Sequence, residues 1–346
     1  MSSTCTSPYK ESGKPQRICV LGGGSWGTTI ACLLSSKGYD TYLWVRNNKK
    51  ADAISKNREN KTYLPGIMLP PGLNITSDMK FACRDSDMFV MAVPTIAFRG
   101  IIKGAAGFIH NKNIVVSATK GLESGTNYVT TDIISETVPH AVPAVLSGPN
   151  HAEEIAAGMP GASVVSAECD ETRELLMRVF ATPNFRIYGN SDMRGVQLCA
   201  AVKNVIALAA GVGDGLGFGD NAKAGLITRG VKEISTFGSM MGAKKETFFG
   251  LAGIGDLIAT CVSKHSRNRT FGERMGKGMT FDEAVTSMGG MVVEGVNTAK
   301  VIEDISKKHG RYFTIPHEVY NLIYEHKKPA DIVEEIMNRE PKLETH

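Results

Sequence analysis

Lys203 lies in the run Cys199-Ala-Ala-Val-Lys203-Asn204-Val-Ile-Ala-Leu, a stretch of helical period that is apolar on nearly every side. A helix of that kind is buried, and a lysine buried without a task is rare. Proton transfer is a task open to it, provided its pKa falls from about 10.4 to roughly 7–8. Desolvation can supply such a drop, whereas a neighbouring carboxylate opposes it. The plain alternative is a lysine snorkelling from the helix edge.

Three further clusters could serve the same chemistry. Asp256 follows Gly253-Ile254-Gly255 and precedes an apolar stretch, as a helix N-cap does. It could equally lie beside Lys203 and take a substrate hydroxyl, and the two readings are compatible. Ser266-Arg267-Asn268-Arg269 opens another helical stretch, with Ser266 as N-cap. A helix start bearing an Arg and an Asn suits an anion, and a phosphate there gains charge-assisted bonds from Arg267. A solvated basic turn is the competing reading. Thr119-Lys120-Gly121 and Ser147-Gly148-Pro149-Asn150 each follow an expected strand. Both loops therefore open at the carboxyl edge of a sheet, where ligands of α/β proteins bind.

Gly22-Gly23-Gly24-Ser25-Trp26-Gly27 fits the pattern GxGxxG, between an expected strand and an expected helix. Gly22 permits the tight turn, Gly24 lets a pyrophosphate approach the backbone, and Gly27 lets the helix pack on the strand. The helix N-terminus then offers unpaired N–H groups to the pyrophosphate. The second strand ends in Trp44-Val45-Arg46-Asn47, without the acidic residue that accepts from the ribose hydroxyls of NAD. Arg46 could pair with a 2′-phosphate or stack on adenine, and a solvated surface arginine fits nearly as well. The cofactor reading is NAD or NADP, with no support for strict NAD preference.

The elements that must position these residues change character along the chain. Short β-branched runs at residues 17–21, 41–45, 88–93, 114–117, 142–146 and 162–165 alternate with helical segments such as 25–37. Such alternation predicts a parallel, doubly wound sheet. Segments 196–212, 222–241 and 331–338 are helical in period. The fold class is therefore α/β, with an N-terminal Rossmann-type domain followed by an all-α C-terminal domain. The expected boundaries are a flexible extension over 1–16, the dinucleotide-binding domain over 17–190 and the helical substrate domain over 191–346.

Composition narrows the function classes. A length of 346 residues with 42% apolar content allows two hydrophobic cores. A net charge of +4, with no block of basic residues, argues against nucleic acid and suits a small anionic substrate. The seven cysteines are scattered without a CxxC pair and the histidines lack ligand spacing, so neither a disulfide framework nor a metal site is expected. The polar N-terminus is not a secretory signal, the chain does not end in a peroxisomal tail, and residues 196–212 fall short of a membrane span. The expectation is a soluble cytoplasmic protein with no membrane insertion.

With these segments assembled, the chain resembles the bacterial-type NAD(P)-dependent glycerol-3-phosphate dehydrogenases over about residues 17–330. The resemblance rests on GGGSWGTT, YLPG, ATKGLE, LSGPNHAEEIAAG, AVKNVIALAAGVGDGLGFGDNAKAGLITRG, GLAGIGDL, HSRNRTFG and VVEGVNT, in that order. It implies that Lys203 is the proton donor and acceptor, and that Lys120, Gly148, Asn150, Asp256, Ser266, Arg267 and Asn268 touch the substrate. It places Ser25, Trp26, Arg46, Lys120, Ala152, Arg267, Val292 and Glu294 at the cofactor. The chain departs from the family at Asn150, where a hydroxyl residue is common, and at Trp26, where Tyr or Phe is usual. The implied reaction is hydride transfer from nicotinamide C4 to the C2 carbonyl of dihydroxyacetone phosphate, in glycerol metabolism and glycerophospholipid precursor supply. Lys203 would protonate the nascent alkoxide, with Lys120 and Lys203 both steadying its charge. A homodimer is implied as well. Two other classes compete: a related β-hydroxyacid dehydrogenase of the 6-phosphogluconate or ketopantoate type, and a non-catalytic NAD(H) sensor. The Ser-Arg-Asn segment with Lys203 and Asp256 favours a small phosphate ester over the first, and a buried lysine argues against the second.

Overall fold

A computed structural model describes residues 15–289, 291–341, 343 and 344. The expected extension over 1–16 lies outside these residues except for Pro15 and Gln16. Gln16 is already tied down: its N–H donates to Asp87, and its carbonyl accepts from the Asp40 N–H.

Contacts divide the chain into two units. The first runs to Ala200 and regains Gly238–Asp256; the second holds Ala201–Phe237 and the chain from Leu257 onward. The expected division at residue 190 lies ten residues before the point where the chain first leaves this unit, and the chain later returns to it over Gly238–Asp256. Local periodicity carries no information about such a return, because it reports element type and not which core an element joins.

The first unit contains strands β1 (Arg17–Leu21), β2 (Asp40–Trp44), β3 (Glu59–Asn60), β4 (Leu64–Met68), β5 (Asn74–Thr76), β6 (Met88–Met91), β7 (Ile114–Ser117), β8 (Val142–Ser147), β9 (Gly161–Ser166) and β10 (Phe185–Asn190). Eight of them form one sheet in the order β10-β9-β8-β7-β6-β1-β2-β5; β3 and β4 pair separately as a hairpin. Its neighbours run parallel except β8 and β9. That pair is the antiparallel exception in the expected parallel sheet. Its connection carries only the short helix Ala152–Ala156, which turns the chain back at the same end of the sheet.

Helices α1 (Ser25–Ser36), α2 (Asn48–Asn57), α3 (Met79–Cys83), α4 (Thr95–Ala105), α5 (Thr130–Thr137), α6 (Ala152–Ala156) and α7 (Asp170–Phe180) fall between strands. Alternate residues of β1 feed two cores, as a period of two requires. Ile18 and Val20 pack with Ile30 and Leu34 of α1 and Leu176 of α7, whereas Cys19 and Leu21 pack with Phe98 of α4 and Ile133 of α5. Helices thus cover both faces of the sheet. The strand order reverses between β1 and β6, so the crevice at a topological switch point opens beyond the carboxyl ends of those two strands.

Helix α8 (Met193–Gly215) leads from the first unit into the second. It is long and apolar enough to cross a membrane by length and composition, more than the sequence suggested, but 94% of its most apolar stretch is buried inside the protein. It is a core helix. The second unit is helical among the described residues, with α9 (Asp220–Met240), α10 (Asp256–Val262), α11 (Arg267–Gly276), α12 (Phe281–Ser287), α13 (Glu294–His309), α14 (Thr314–Tyr324) and α15 (Pro329–Met337).

Candidate active site

The glycine-rich turn joins β1 to α1 at the switch point. Gly22 has φ +125°, and a Cβ there would fall 2.3 Å from the Ala92 carbonyl oxygen just beyond β6. A Cβ on Gly27 would meet the Gly22 carbonyl at 1.9 Å, so helix and strand approach as the motif demands. Gly24 N-caps α1 with no side-chain cap bond and no acidic residue in the first turn, and beside it lies open space. An uncapped helix start over open space fits a pyrophosphate. Trp26 packs edge-on against Phe185, and its buried Nε1 has no partner among the described residues. Thr29 of α1 donates to the carbonyl of Ala152, which anchors that expected cofactor residue to the dinucleotide helix. Arg46 is exposed just past β2, beside Asn47, which caps α2 by accepting from Lys50 N–H.

The loops after β7 and β8 converge on one cation. Lys120 Nζ donates to the Gly148 carbonyl at 3.0 Å, to Asn150 Oδ1 at 2.7 Å and to Asp256 Oδ2 at 3.0 Å. Four residues from three separate motifs therefore meet at the carboxyl edge of the sheet. An ammonium has three protons, and here each faces an acceptor. With its oxygen held by Lys120, buried Asn150 keeps an Nδ2 with no partner among the described residues, a donor where a hydroxyl residue could also accept.

Asp256 is not the N-cap its sequence suggests. One π-helical turn, Leu251–Gly255, runs directly into it, and its backbone is already helical. Its carboxylate, almost wholly buried, goes to Lys120. Cys199 lies near the carboxylates of Asp192 and Asp256; burial above all, and then those charges, push its thiol well above the ordinary range. A thiol held protonated is a poor nucleophile. Six free cysteines are described, Cys5 lying outside those residues, and no cluster with metal-ligand character occurs among them.

In the second unit Lys203 is 4% exposed and donates to Thr260 Oγ1 at 2.8 Å. Burial of the lysine was expected; Thr260 was missed, although it follows Asp256 by four residues in the same helix. Ser266 caps α11 by accepting from Arg269 N–H, as expected. Of the two arginines in this segment, Arg269 is paired with Asp214 and Glu273, whereas Arg267 is exposed at the first helical position with no ion pair among the described residues. Asn268 is buried and donates to Asn204. Glu294 begins α13 and is half-buried, and Val292 just before it is exposed.

Comparisons with known proteins agree along most of the chain. A family model described as NAD-dependent glycerol-3-phosphate dehydrogenase N-terminus matches residues 17–173, and its C-terminus counterpart matches residues 192–334. A glycerol-3-phosphate dehydrogenase [NAD(P)+] of Fusobacterium nucleatum is 46% identical over 330 residues, covering 95% of this chain and 98% of that protein. The crystal structure of a glycerol-3-phosphate dehydrogenase from Coxiella burnetii superposes with TM-score 0.90 at 34% identity, covering 94% of this chain and all of that one. A ketopantoate reductase from Ralstonia eutropha shares the fold alone, with TM-score 0.60 at 14% identity over 92% of this chain and 99% of that one. Matches to both family models, and a relative this similar over its full length, place the chain in the NAD-dependent glycerol-3-phosphate dehydrogenase family.

Proposed function

We propose that this protein interconverts dihydroxyacetone phosphate and sn-glycerol 3-phosphate, with NAD(H) or NADP(H) as the hydride carrier. The observation that carries the reading is Lys203, a buried lysine with a hydroxyl partner in a chain of this family. Bound, the nicotinamide supplies or takes the hydride at C2 of the substrate. Lys203 gives a proton to the C2 oxygen in reduction and takes one in oxidation. The bond to Thr260 limits the directions in which its ammonium can point. Lys120 has the complementary role of a fixed cation, held by three acceptors and suited to steadying negative charge without moving a proton. Asp256 holds that cation, and Asn150 offers Nδ2 to a substrate oxygen. Arg267, with the start of α11, takes the phosphate. The same reading includes a homodimer in the cytoplasm that supplies glycerophospholipid precursors.

The test is direct. Purified protein is mixed with dihydroxyacetone phosphate and NADH or NADPH, and loss of reduced nicotinamide is followed by absorbance. Turnover with dihydroxyacetone phosphate, and none with ketopantoate or oxidised cofactor plus 6-phosphogluconate, is the expected result. The reverse pattern would reassign the substrate, and silence with every compound would favour a sensor.

A further inference from the structure

The segment Gly238–Asp256 rejoins the first unit after the chain has left it, and its last residue is Asp256. What holds it in place is a buried acid that sequence reasoning passed over. Asp192 Oδ2 accepts from Lys244 N–H at 2.8 Å and from Thr247 Oγ1 at 2.7 Å. Its Oδ1 accepts from Gly195 N–H at 2.9 Å, which caps the start of α8. A Cβ on Gly195 would sit 2.0 Å from this carboxylate, so the clamp needs glycine there. Beyond the clamp, Ala252 packs with Val145, Val164 and Val196. The path to Asp256 is short and tightly wound, through a 3-10 turn at Lys245–Phe249 and the π-turn, with Gly253 and Gly255 N–H both bonded to the Gly250 carbonyl.

We propose that Asp192 is a positioning residue: by clamping the Lys244–Thr247 turn it sets where the Asp256 carboxylate meets the Lys120 ammonium. Apolar contacts such as those of Ala252 are non-directional and tolerate sliding. Hydrogen bonds to a carboxylate fix distance and angle. A shift of about 1 Å at a catalytic group can cost on the order of 10²-fold in rate. The clamp would confine Asp256 within that tolerance while touching neither substrate nor cofactor.

The activity readout rests on the function proposed above, so the experiment carries one measurement that does not. Thr247→Val and Asp192→Asn are made alone and together with Asp256→Asn. Each is assayed with dihydroxyacetone phosphate and NADH, titrated with NADH by fluorescence, and followed by hydrogen-exchange mass spectrometry over residues 248–256. Thr247→Val should lower kcat by about 3- to 10-fold, and Asp192→Asn by about 10- to 100-fold. NADH affinity should stay within about twofold, and exchange over 248–256 should quicken. In the Asp256→Asn background either change should lower kcat by less than about twofold, because the group being positioned is gone. Equal losses in both backgrounds, or unchanged exchange, would overturn the proposal. Should Asp192→Asn fail to fold, Thr247→Val decides, since it leaves the Gly195 cap intact. If the wild-type protein does not turn over dihydroxyacetone phosphate, the function reading falls and the exchange data alone judge the clamp.

Discussion

The side chain of Asn268 donates to Asn204 Oδ1 at 3.0 Å, and its own oxygen accepts from Gly295 N–H at 2.9 Å. One buried amide thus ties the residue after Lys203 to the starts of both α11 and α13. Glycine contacts reinforce the junction: a Cβ on Gly272 of α11 would lie 2.0 Å from the Leu208 carbonyl, and one on Gly211 of α8 would lie 1.9 Å from the Arg269 carbonyl. The two helices therefore approach backbone to backbone, and the helix start that bears Arg267 is fixed relative to Lys203. Asn268, expected to touch substrate, also holds this arrangement.

Arg267, proposed above to take the phosphate, is exposed at the start of α11 with no ion pair among the described residues. Arg267→Ala should chiefly weaken the phosphorylated substrate. A hydrogen bond to a charged group is worth about 1.5–3 kcal/mol, so KM for dihydroxyacetone phosphate should rise on the order of 10- to 150-fold. Dihydroxyacetone, which lacks the phosphate, should be turned over almost as before. Steady-state kinetics on both compounds check this, and equal losses would remove Arg267 from the phosphate site.

Lys203→Ala should lower kcat by roughly 10²–10⁴, the usual worth of a positioned acid or base. NADH binding, read by fluorescence titration, should barely change. A variant retaining more than about a tenth of wild-type turnover would show that another group moves the proton.

The alternation of strands and helices, and the meeting of the loops after β7 and β8, were legible in the sequence. Lys120, Gly148 and Asn150 each follow an expected strand, which places them at one sheet edge; Asp256, expected beside Lys203, pairs with Lys120, and no local signal showed that. Strands β1 and β7 match their expected bounds because both are compact runs of mainly apolar and β-branched residues, buried except for Arg17 at the start of β1. Strand β10 escaped notice: an edge strand with Arg186, Tyr188 and Gly189 alternates too weakly to stand out. The β3–β4 hairpin did too, being short and carrying Pro65 and Gly66. Asp192 was invisible for another reason. In Asn190-Ser191-Asp192 it looks like an ordinary turn residue, and its partners at Lys244 and Thr247 are remote in sequence. Such long-range bonds leave no local signature.

Cofactor choice tests the exposed residue past β2. Arg46 is permanently charged and planar, suited to a 2′-phosphate and unable to accept from a 2′-hydroxyl. Neighbouring Lys49 and Lys50 leave the first turn of α2 without an acidic residue. Arg46→Asp should repel NADPH and offer NADH an acceptor, moving the ratio of kcat/KM at least roughly tenfold toward NADH. An unchanged ratio would make Arg46 a solvated surface residue.

Stability should depend on pH through Glu233. This residue of α9 accepts from the Ile315 N–H at the start of α14, at 2.9 Å. Its carboxyl is held above the usual range, chiefly by burial, which outweighs the opposing pull of the Ile315 bond, Arg229 and Arg339. A folded-state pKa above the unfolded one means that the native state binds more protons between the two values. The stabilising contribution is then complete below the unfolded value and is lost as pH rises through the folded one. At neutral pH the ionised carboxylate therefore costs the fold stability. Glu233→Gln keeps an oxygen for Ile315 and removes the charge. Its melting temperature should match that of the wild type near about pH 4 and exceed it near neutrality. Thermal melts of both proteins across that range check the sign. A variant less stable at neutral pH would show that the two arginines, and not burial, govern this carboxylate.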